Sequence, residues 1–418
     1  MNFFIIKDER KIQLIKNFIA LISVKGIDFL IPLIIFPFLI KVLGFDKFGL
    51  LTFSLSVCLY MGSFIQYGFS ITAVRDIARV KNNLVLLTQK FNNFFWTNIL
   101  LLCISFFIFS VLVFIIPILK DEKALFFITF FLVGMQSVFP YWFFQGVEKM
   151  KLIAYINVIT KFLYLISLLY FINGPLDYLY VYLLYAIWVM LGNIIAFIII
   201  VKNFKIALSA PNLKEIKHII TTGRNAFITQ FAPNLYNNTA TFVLGLTVSN
   251  SLLGVYASAM KIIEALNSFG VIISSTFLPG LSRSLGIHLM YKRIMITVGI
   301  IICTLSYTYS TSIIELFVNN NINEIEMYFR CLIPMVFFVY FRLIYGPNFL
   351  MIIGEEKMYK NIILYTSLIF FIFSWYIIPV QGVLGAIYVL LGASGTMSIL
   401  TYLYSKKIKG NAHRISKK

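Results

Sequence analysis

Seven ionisable residues stand inside stretches that are otherwise apolar: Lys25, Asp28, Lys161, Arg224, Lys261, Glu264 and Arg342. A charge at the centre of a bilayer helix costs about 2.5–3.5 kcal/mol on insertion scales, so each needs a water-filled cavity or an ion partner. Lys25 and Asp28 are three residues apart, as are Lys261 and Glu264. That spacing puts each pair on one helix face. Two readings are open for them: ion pairs that neutralise themselves within a helix, or charged sites facing one polar cavity. Arg224 lies near enough to the end of its stretch to snorkel to the interface. Lys161 lies about nine residues in, about 14 Å at a rise of 1.5 Å per residue, and Arg342 is at similar depth. Five cations against two anions leave these stretches at a net +3. A positive cavity with low-dielectric walls attracts anions, and phosphate suits Lys and Arg through charge-assisted hydrogen bonds. A cation exporter is expected to present the opposite sign.

A second group of candidates is neutral. Arg224, Asn225, Gln230, Asn234, Asn237, Asn238 and Thr239 cluster around Pro233, and sugar hydroxyls need such donors and acceptors. Pro32 and Pro37 are expected to break the first apolar stretch, and Pro233 the seventh, because proline removes a backbone hydrogen bond and kinks a helix. These three are candidate hinges; static kinks explain them equally well. The candidate binding set is therefore Lys25, Lys261, Arg224, Asn234, Asn237, Arg342 and Lys161. Asp28 and Glu264 are candidates for coupling to a proton or sodium ion, since a carboxylate in a low-dielectric site gains proton affinity unless a cation offsets it. No enzyme motif accompanies them: His218, His288 and His413 lie near predicted boundaries or in the tail, and no P-loop or HExxH is present. A non-enzymatic protein without cofactor or metal is expected.

The elements that must position these residues follow from composition. The 418 residues are 60% hydrophobic and 12% charged, with a mean hydropathy of +0.90. Soluble domains carry about 25% charged residues. A soluble enzyme, a disulfide scaffold and a disordered chain are excluded, and a polytopic α-helical membrane protein is indicated. Twelve spans are expected, at 17–41, 49–72, 91–116, 124–146, 152–173, 178–201, 219–247, 252–281, 294–318, 328–353, 361–378 and 381–404. The first is read as a span and not a signal peptide. The formal charge of +19 sits mostly in the short connections. With both termini inside, 25 Lys and Arg lie on the inner side and 5 on the outer, so the positive-inside rule places both termini in the cytoplasm and removes the nucleic-acid reading. The basic tail, 405–418, is expected on anionic lipid headgroups. Cys58, Cys103, Cys303 and Cys331 have neither metal-ligand nor disulfide-framework spacing.

The chain also reads as two halves. Phe48-Gly49-Leu50-Leu51-Thr52-Phe53-Ser54 opens the second span and Leu253-Gly254-Val255-Tyr256-Ala257-Ser258-Ala259 the eighth, 205 residues later. Phe69 to Arg75 matches Phe277 to Arg283 in pattern. The expected organisation is a six-helix lobe over 1–201, a cytoplasmic linker over 202–217 and a second six-helix lobe over 218–404. Six spans plus six, entering from the same side, make a parallel repeat about the membrane normal.

Gly26-Ile27-Asp28, the Pro32 and Pro37 helix, Val42-Leu43-Gly44, Phe48-Gly49, Gly68-Phe69-Ser70 and Val74-Arg75-Asp76-Ile77-Ala78 resemble the opening of Wzx-type O-antigen flippases. Tyr141-Trp142-Phe143-Phe144-Gln145-Gly146 with Glu148-Lys149, and Leu253-Gly254-Val255-Tyr256 with Lys261-Ile262, resemble later segments of the same family. The family belongs to the multidrug/oligosaccharidyl-lipid/polysaccharide exporter superfamily. The resemblance implies two six-helix lobes around a central cavity, a MATE-like fold. It implies translocation of undecaprenyl-diphosphate-linked O-antigen units across the bacterial inner membrane for lipopolysaccharide biosynthesis. It also implies lipid entry between the first and eighth helices, with Lys25 and Lys261 meeting the diphosphate. An O-antigen polymerase and a chain-length regulator become candidate partners beside membrane lipids. The related lipid II flippases have fourteen spans, two more than expected here. Two rival readings are a cation-coupled multidrug exporter of the same fold and a membrane-embedded glycosyltransferase or polymerase. The cation excess disfavours the first. The short outer segment at 319–327 disfavours the second, which needs a large outer loop.

Overall fold

The computed structural model describes the backbone of residues 2–415 and the side chains of residues 31–408. Among the described residues the chain is helical throughout, without a strand. The first ten helices are α1 (Asn2–Gln66), α2 (Thr72–Val80), α3 (Leu84–Ile115), α4 (Pro117–Asp121), α5 (Lys123–Val138), α6 (Tyr141–Gly146), α7 (Met150–Phe171), α8 (Tyr178–Asn203), α9 (Leu213–Phe231) and α10 (Asn234–Thr247). They are followed by α11 (Asn250–Arg283), α12 (His288–Thr308), α13 (Ser310–Phe317), α14 (Ile322–Tyr345) and α15 (Glu356–Ile415), with a π-helical turn at Gly346–Leu350. Nine helices among the described residues are long and apolar enough to cross a membrane. The twelve expected spans fit onto these nine together with α9 and α10. α1 and α15 each hold two of them, interrupted at Gly44 and Gly382, and the seventh is shared by α9 and α10. In hydrocarbon every backbone N–H and C=O must be satisfied within the protein, which is why the apolar stretches are helices.

The proline expectation is corrected in part. α1 runs through Pro32 and Pro37, and its interruption is at Gly44, with φ 75° and ψ 170°. That conformation carries no Cβ penalty in glycine, whereas proline costs a helix one hydrogen bond without forcing the chain out of helical φ and ψ. Pro233 does sit at a break: α9 ends at Phe231 and α10 begins at Asn234.

The chain forms two compact units, residues 42–251 and residues 1–41 with 252–418. Neither unit boundary falls at the expected linker, 202–217. The first boundary lies beside the Gly44 interruption, and the second lies at the start of α11.

In the 42–251 unit, α9 and α10 pack on the second half of α1 through a polar seam. Tyr60 hydrogen-bonds Thr239 and the Asn234 amide donates to Ser63. Gln230 Nε2 donates to Gln66 Oε1 at 2.8 Å, and Ser70 donates to Gln230 Oε1 at 3.1 Å. The Tyr67 and Phe227 rings stack at 4.8 Å beside them. Interhelical hydrogen bonds in membranes average about 0.6 kcal/mol each, so a row of four is worth roughly 2 kcal/mol. At one end of the unit Phe69, Phe91, Phe94, Trp142, Phe143 and Phe144 form a buried aromatic cluster. α2 and α6 meet there so closely that a Cβ on Gly146 would lie 2.6 Å from Ile77 Cγ2. Nearby, the exposed Glu148 carboxylate is held below its usual range by its hydrogen bond to Lys81, 2.8 Å away.

The expected linker is held against α3. Asn92, 2% exposed, donates through Nδ2 to Ala207 O at 2.9 Å and accepts from Ser209 N at 3.0 Å. Trp96 Nε1 donates to Ser209 O at 2.8 Å. Its last residues already belong to α9, whose first turn is capped by Asn212. Asn92→Leu removes both hydrogen bonds to the exposed backbone at Ala207 and Ser209, each worth about 0.5–1.5 kcal/mol. Trypsin cleavage after Lys205 should accelerate about tenfold or more in this variant, as read by gel densitometry. Cleavage at the wild-type rate would mean that Asn92 does not hold the linker.

In the other unit α14 packs against α12 and α15. Asn348, in the π-helical turn and 1% exposed, donates through Nδ2 to Ser274 O and Oγ at 3.0 Å. Buried His288 makes a 3.2 Å hydrogen bond to Ile344 O, and Tyr340 donates to Leu266 O at 2.9 Å.

Candidate functional site

The 42–251 unit holds an open-sided cavity of about 250 Å³ between α5, α7 and α8, with the end of α1 and the start of α6 contributing. Lys161 lines it, together with Gln66, Gln136, Tyr141, Asn157 and Thr160. Tyr185, Val189 and Gly192 form the α8 side, and Ile156 and Phe139 add apolar surface.

Each polar wall residue is positioned by its helix. Asn157, Thr160 and Lys161 are spaced i, i+3 and i+4 on α7 and so share a face. Tyr185, Val189 and Gly192 do the same on α8 at i, i+4 and i+7. Gly192 lets the two helices approach, since a Cβ there would lie 2.9 Å from Thr160 Cγ2. Trp188 Nε1 donates to Ser167 Oγ at 2.9 Å, and Asn193 Nδ2 donates to Met135 O at 2.9 Å, which pins α8 to α7 and α5. The Tyr141 hydroxyl donates to Asn157 Oδ1 at 3.1 Å and orients that amide. Gln66 Oε1 accepts from Gln230, so the cavity wall is continuous with the α1–α9 seam. The Tyr185 ring stacks on buried Tyr164 at 4.4 Å and 14°.

The wall thus combines an ammonium, three side-chain amides, a hydroxyl and two phenols, and no carboxylate is among its described lining residues. Chemically this fits an anionic group attached to a polyhydroxylated body. The ammonium supplies charge-assisted hydrogen bonds, and the amides supply paired donors and acceptors.

The other sequence candidates do not gather at this cavity. Lys25 and Asp28 have side chains outside the described residues. Lys261 and Glu264 form an ion pair with each other at 2.8 Å, the lysine about one third exposed and the glutamate about half. This is the self-neutralising arrangement that their spacing allowed. Arg342 is half-buried, its Nη1 3.0 Å from Met397 Sδ. Arg224 and Asn237 are exposed, and Asn234 is engaged with Ser63 in the seam. The sequence reading missed Tyr185, Gln66, Gln136, Asn157 and Thr160. The available signal was the polar face of α7, where an amide, a hydroxyl and an ammonium fall within one helical turn of an apolar stretch.

With this geometry in hand, the similarities to known proteins are informative. The "Putative O-antigen transporter" of Escherichia coli (strain K12) is 23% identical over 409 residues, spanning 96% of this chain and 98% of its own length. The protein of the same name from Shigella dysenteriae is 21% identical over 268 residues, 64% of this chain and 67% of that one. The inward-facing structure of a multidrug resistance MATE family transporter of the MOP superfamily superposes with a TM-score of 0.70 at 15% identity, over 92% of this chain and 96% of the other. The outward-facing structure of such a transporter gives 0.63 at 12% identity, over 96% of both chains. The fold is therefore MATE-like, that of a multi-pass membrane protein. Residues 14–285, about two thirds of the chain, match the family described as polysaccharide biosynthesis protein, and the chain belongs to that family.

Proposed function

We propose that this protein is a non-enzymatic flippase of the bacterial inner membrane. It moves undecaprenyl-diphosphate-linked O-antigen repeat units from the cytoplasmic to the periplasmic leaflet for lipopolysaccharide biosynthesis. The observation that carries the reading is the cavity of the 42–251 unit, where Lys161 stands among amides and hydroxyls with no described carboxylate on the wall. The family membership and the name of the relative matched over 98% of its length support the same class of cargo. A cation-coupled multidrug exporter is a poorer match, because an ammonium on the wall repels cationic cargo. In this reading both termini are cytoplasmic, lobes 1–201 and 218–404 are repeats, and a polymerase and a chain-length regulator receive the product.

Complementation tests it. Expression in bacteria lacking their own O-antigen transporter should restore surface polysaccharide, seen as a ladder on lipopolysaccharide gels. A ladder absent at normal protein level, with no lipid-linked unit reaching the periplasmic leaflet, overturns the reading.

Lys25 and Lys261 are proposed to meet the diphosphate, with Asp28 and Glu264 as the coupling carboxylates. Lys261→Ala frees Glu264 from its 2.8 Å partner and removes a cation. Display should fall at equal protein level in Lys25→Ala and Lys261→Ala, and the Arg variants should keep more of it. Reconstituted transport should respond to an imposed proton or sodium gradient, and Asp28→Asn or Glu264→Gln should blunt that response. Variants with the wild-type gradient response would remove these carboxylates from coupling.

A further inference from the structure

The cavity that holds Lys161 is small. Pockets for drug-sized ligands run to about 300–1,000 Å³, and this one is about 250 Å³. Its volume is of the order of one sugar ring, and the rest of a longer glycan would extend through its open side. Its wall is also not that of a plain anion site. A site built for phosphate alone needs donors and charge. Here an aromatic ring is fixed in place as well: Tyr185 stacks at 4.4 Å on Tyr164, which is 5% exposed. Tyr164 covers one side of that ring, and a side chain already held by a stacked neighbour loses less entropy when a ligand lands on it. The face of an aromatic ring is electronegative, and the C–H-rich face of a pyranose is a natural partner for it. The same wall holds amides at Gln66, Gln136 and Asn157. Such a group donates and accepts at once, which is what neighbouring sugar hydroxyls require.

We infer that this cavity is a subsite for a single pyranose ring that carries an anionic group. Tyr185 is the stacking platform, Asn157 reads hydroxyls, and Lys161 holds the anion. The inference deepens the glycan-transport reading and rests on it. Two sources supply this chemistry: the carboxylate of a sugar acid within the repeat unit, or the phosphoryl group next to the first sugar. Both put a negative charge within a bond or two of the ring.

The test uses the full-length protein in lipid nanodiscs and four probes: glucose, glucuronic acid, glucose 1-phosphate and inorganic phosphate. Titration calorimetry gives affinities, and saturation-transfer NMR reports ring contact. At least one of the two anionic sugars should bind about tenfold more tightly than both glucose and phosphate, and the tighter of the two identifies the source. Tyr185→Ala should weaken that sugar about tenfold while leaving phosphate binding in place, and Tyr185→Phe, which keeps the ring, should weaken it by less than about threefold. Lys161→Met should bring the anionic sugar down to the affinity of glucose. The subsite is overturned if phosphate binds as tightly as either anionic sugar, if Ala and Phe at 185 act alike, or if no probe binds. Complementation separates this result from the transport reading. Restored polysaccharide without probe binding sinks the subsite alone, and probe binding without restored polysaccharide sinks the transport reading alone.

Discussion

Gly68→Ala should destabilise the protein strongly, with a lower melting temperature and less monodisperse material recovered in detergent. Gly68 has φ +73°, where a Cβ costs roughly 1–2 kcal/mol. The added methyl would also lie 2.6 Å from the Ala226 carbonyl carbon and 2.7 Å from Phe227 N. Those are backbone atoms of α9, so no side-chain rotation relieves the clash. Overpacking of this kind adds about 1–3 kcal/mol. To escape it α9 must lift off α1, which breaks the Tyr67–Phe227 stack and both hydrogen bonds to Gln230. The total, roughly 2–5 kcal/mol, is a large share of a typical stability of about 5–15 kcal/mol. Gly174→Ala is the control, since nothing lies within 4 Å of a Cβ there and its φ is extended. It should behave as wild type in size-exclusion chromatography and thermal melting. If Gly68→Ala melts with wild type, the seam is looser than its geometry indicates.

Lys161→Met should remove most polysaccharide display in transporter-null cells at wild-type protein level, and Lys161→Glu should remove all of it. A hydrogen bond to a charged group contributes about 1.5–3 kcal/mol, which is roughly ten- to a hundredfold in affinity. Glutamate replaces attraction by repulsion in a low-dielectric wall, so its effect is larger. Lys161→Arg keeps the charge but changes the shape, and should fall between wild type and Met. A cation inside a span lowers insertion stability, so the neutral variant is expected to insert at least as well as wild type. That pattern, normal insertion with lost export, separates a functional lysine from a structural one. Normal ladders from both Met and Glu would remove Lys161 from the transport path.

Several features were legible before any fold was in view. Helices and membrane class follow from long apolar stretches, because hydrocarbon forces backbone hydrogen bonds inward and makes a charge within a span conspicuous. Lys161 stood out by depth alone, and the break at Pro233 by the missing N–H of proline. The i, i+3 spacing of Lys261 and Glu264 allowed either a self-neutralising pair or two cavity-facing charges, and the fold pairs them at 2.8 Å.

What only the tertiary structure decided is which residues meet. Gln66 and Lys161 are 95 residues apart in sequence and line one cavity, and Tyr185 joins them from another helix. A soluble helix announces its packed side by an apolar stripe, but the spans here are apolar nearly all round, so periodicity does not tell the lipid face from the protein face. For the same reason the polar residues around Pro233 read as sugar ligands from sequence, while in the fold Gln230, Asn234 and Thr239 join α9 and α10 to α1. The interruption of α1 at Gly44 was likewise hidden. Proline marks a lost hydrogen bond wherever it stands, whereas a glycine leaves the helix only where the surrounding chain requires the turn, and that requirement belongs to the packing.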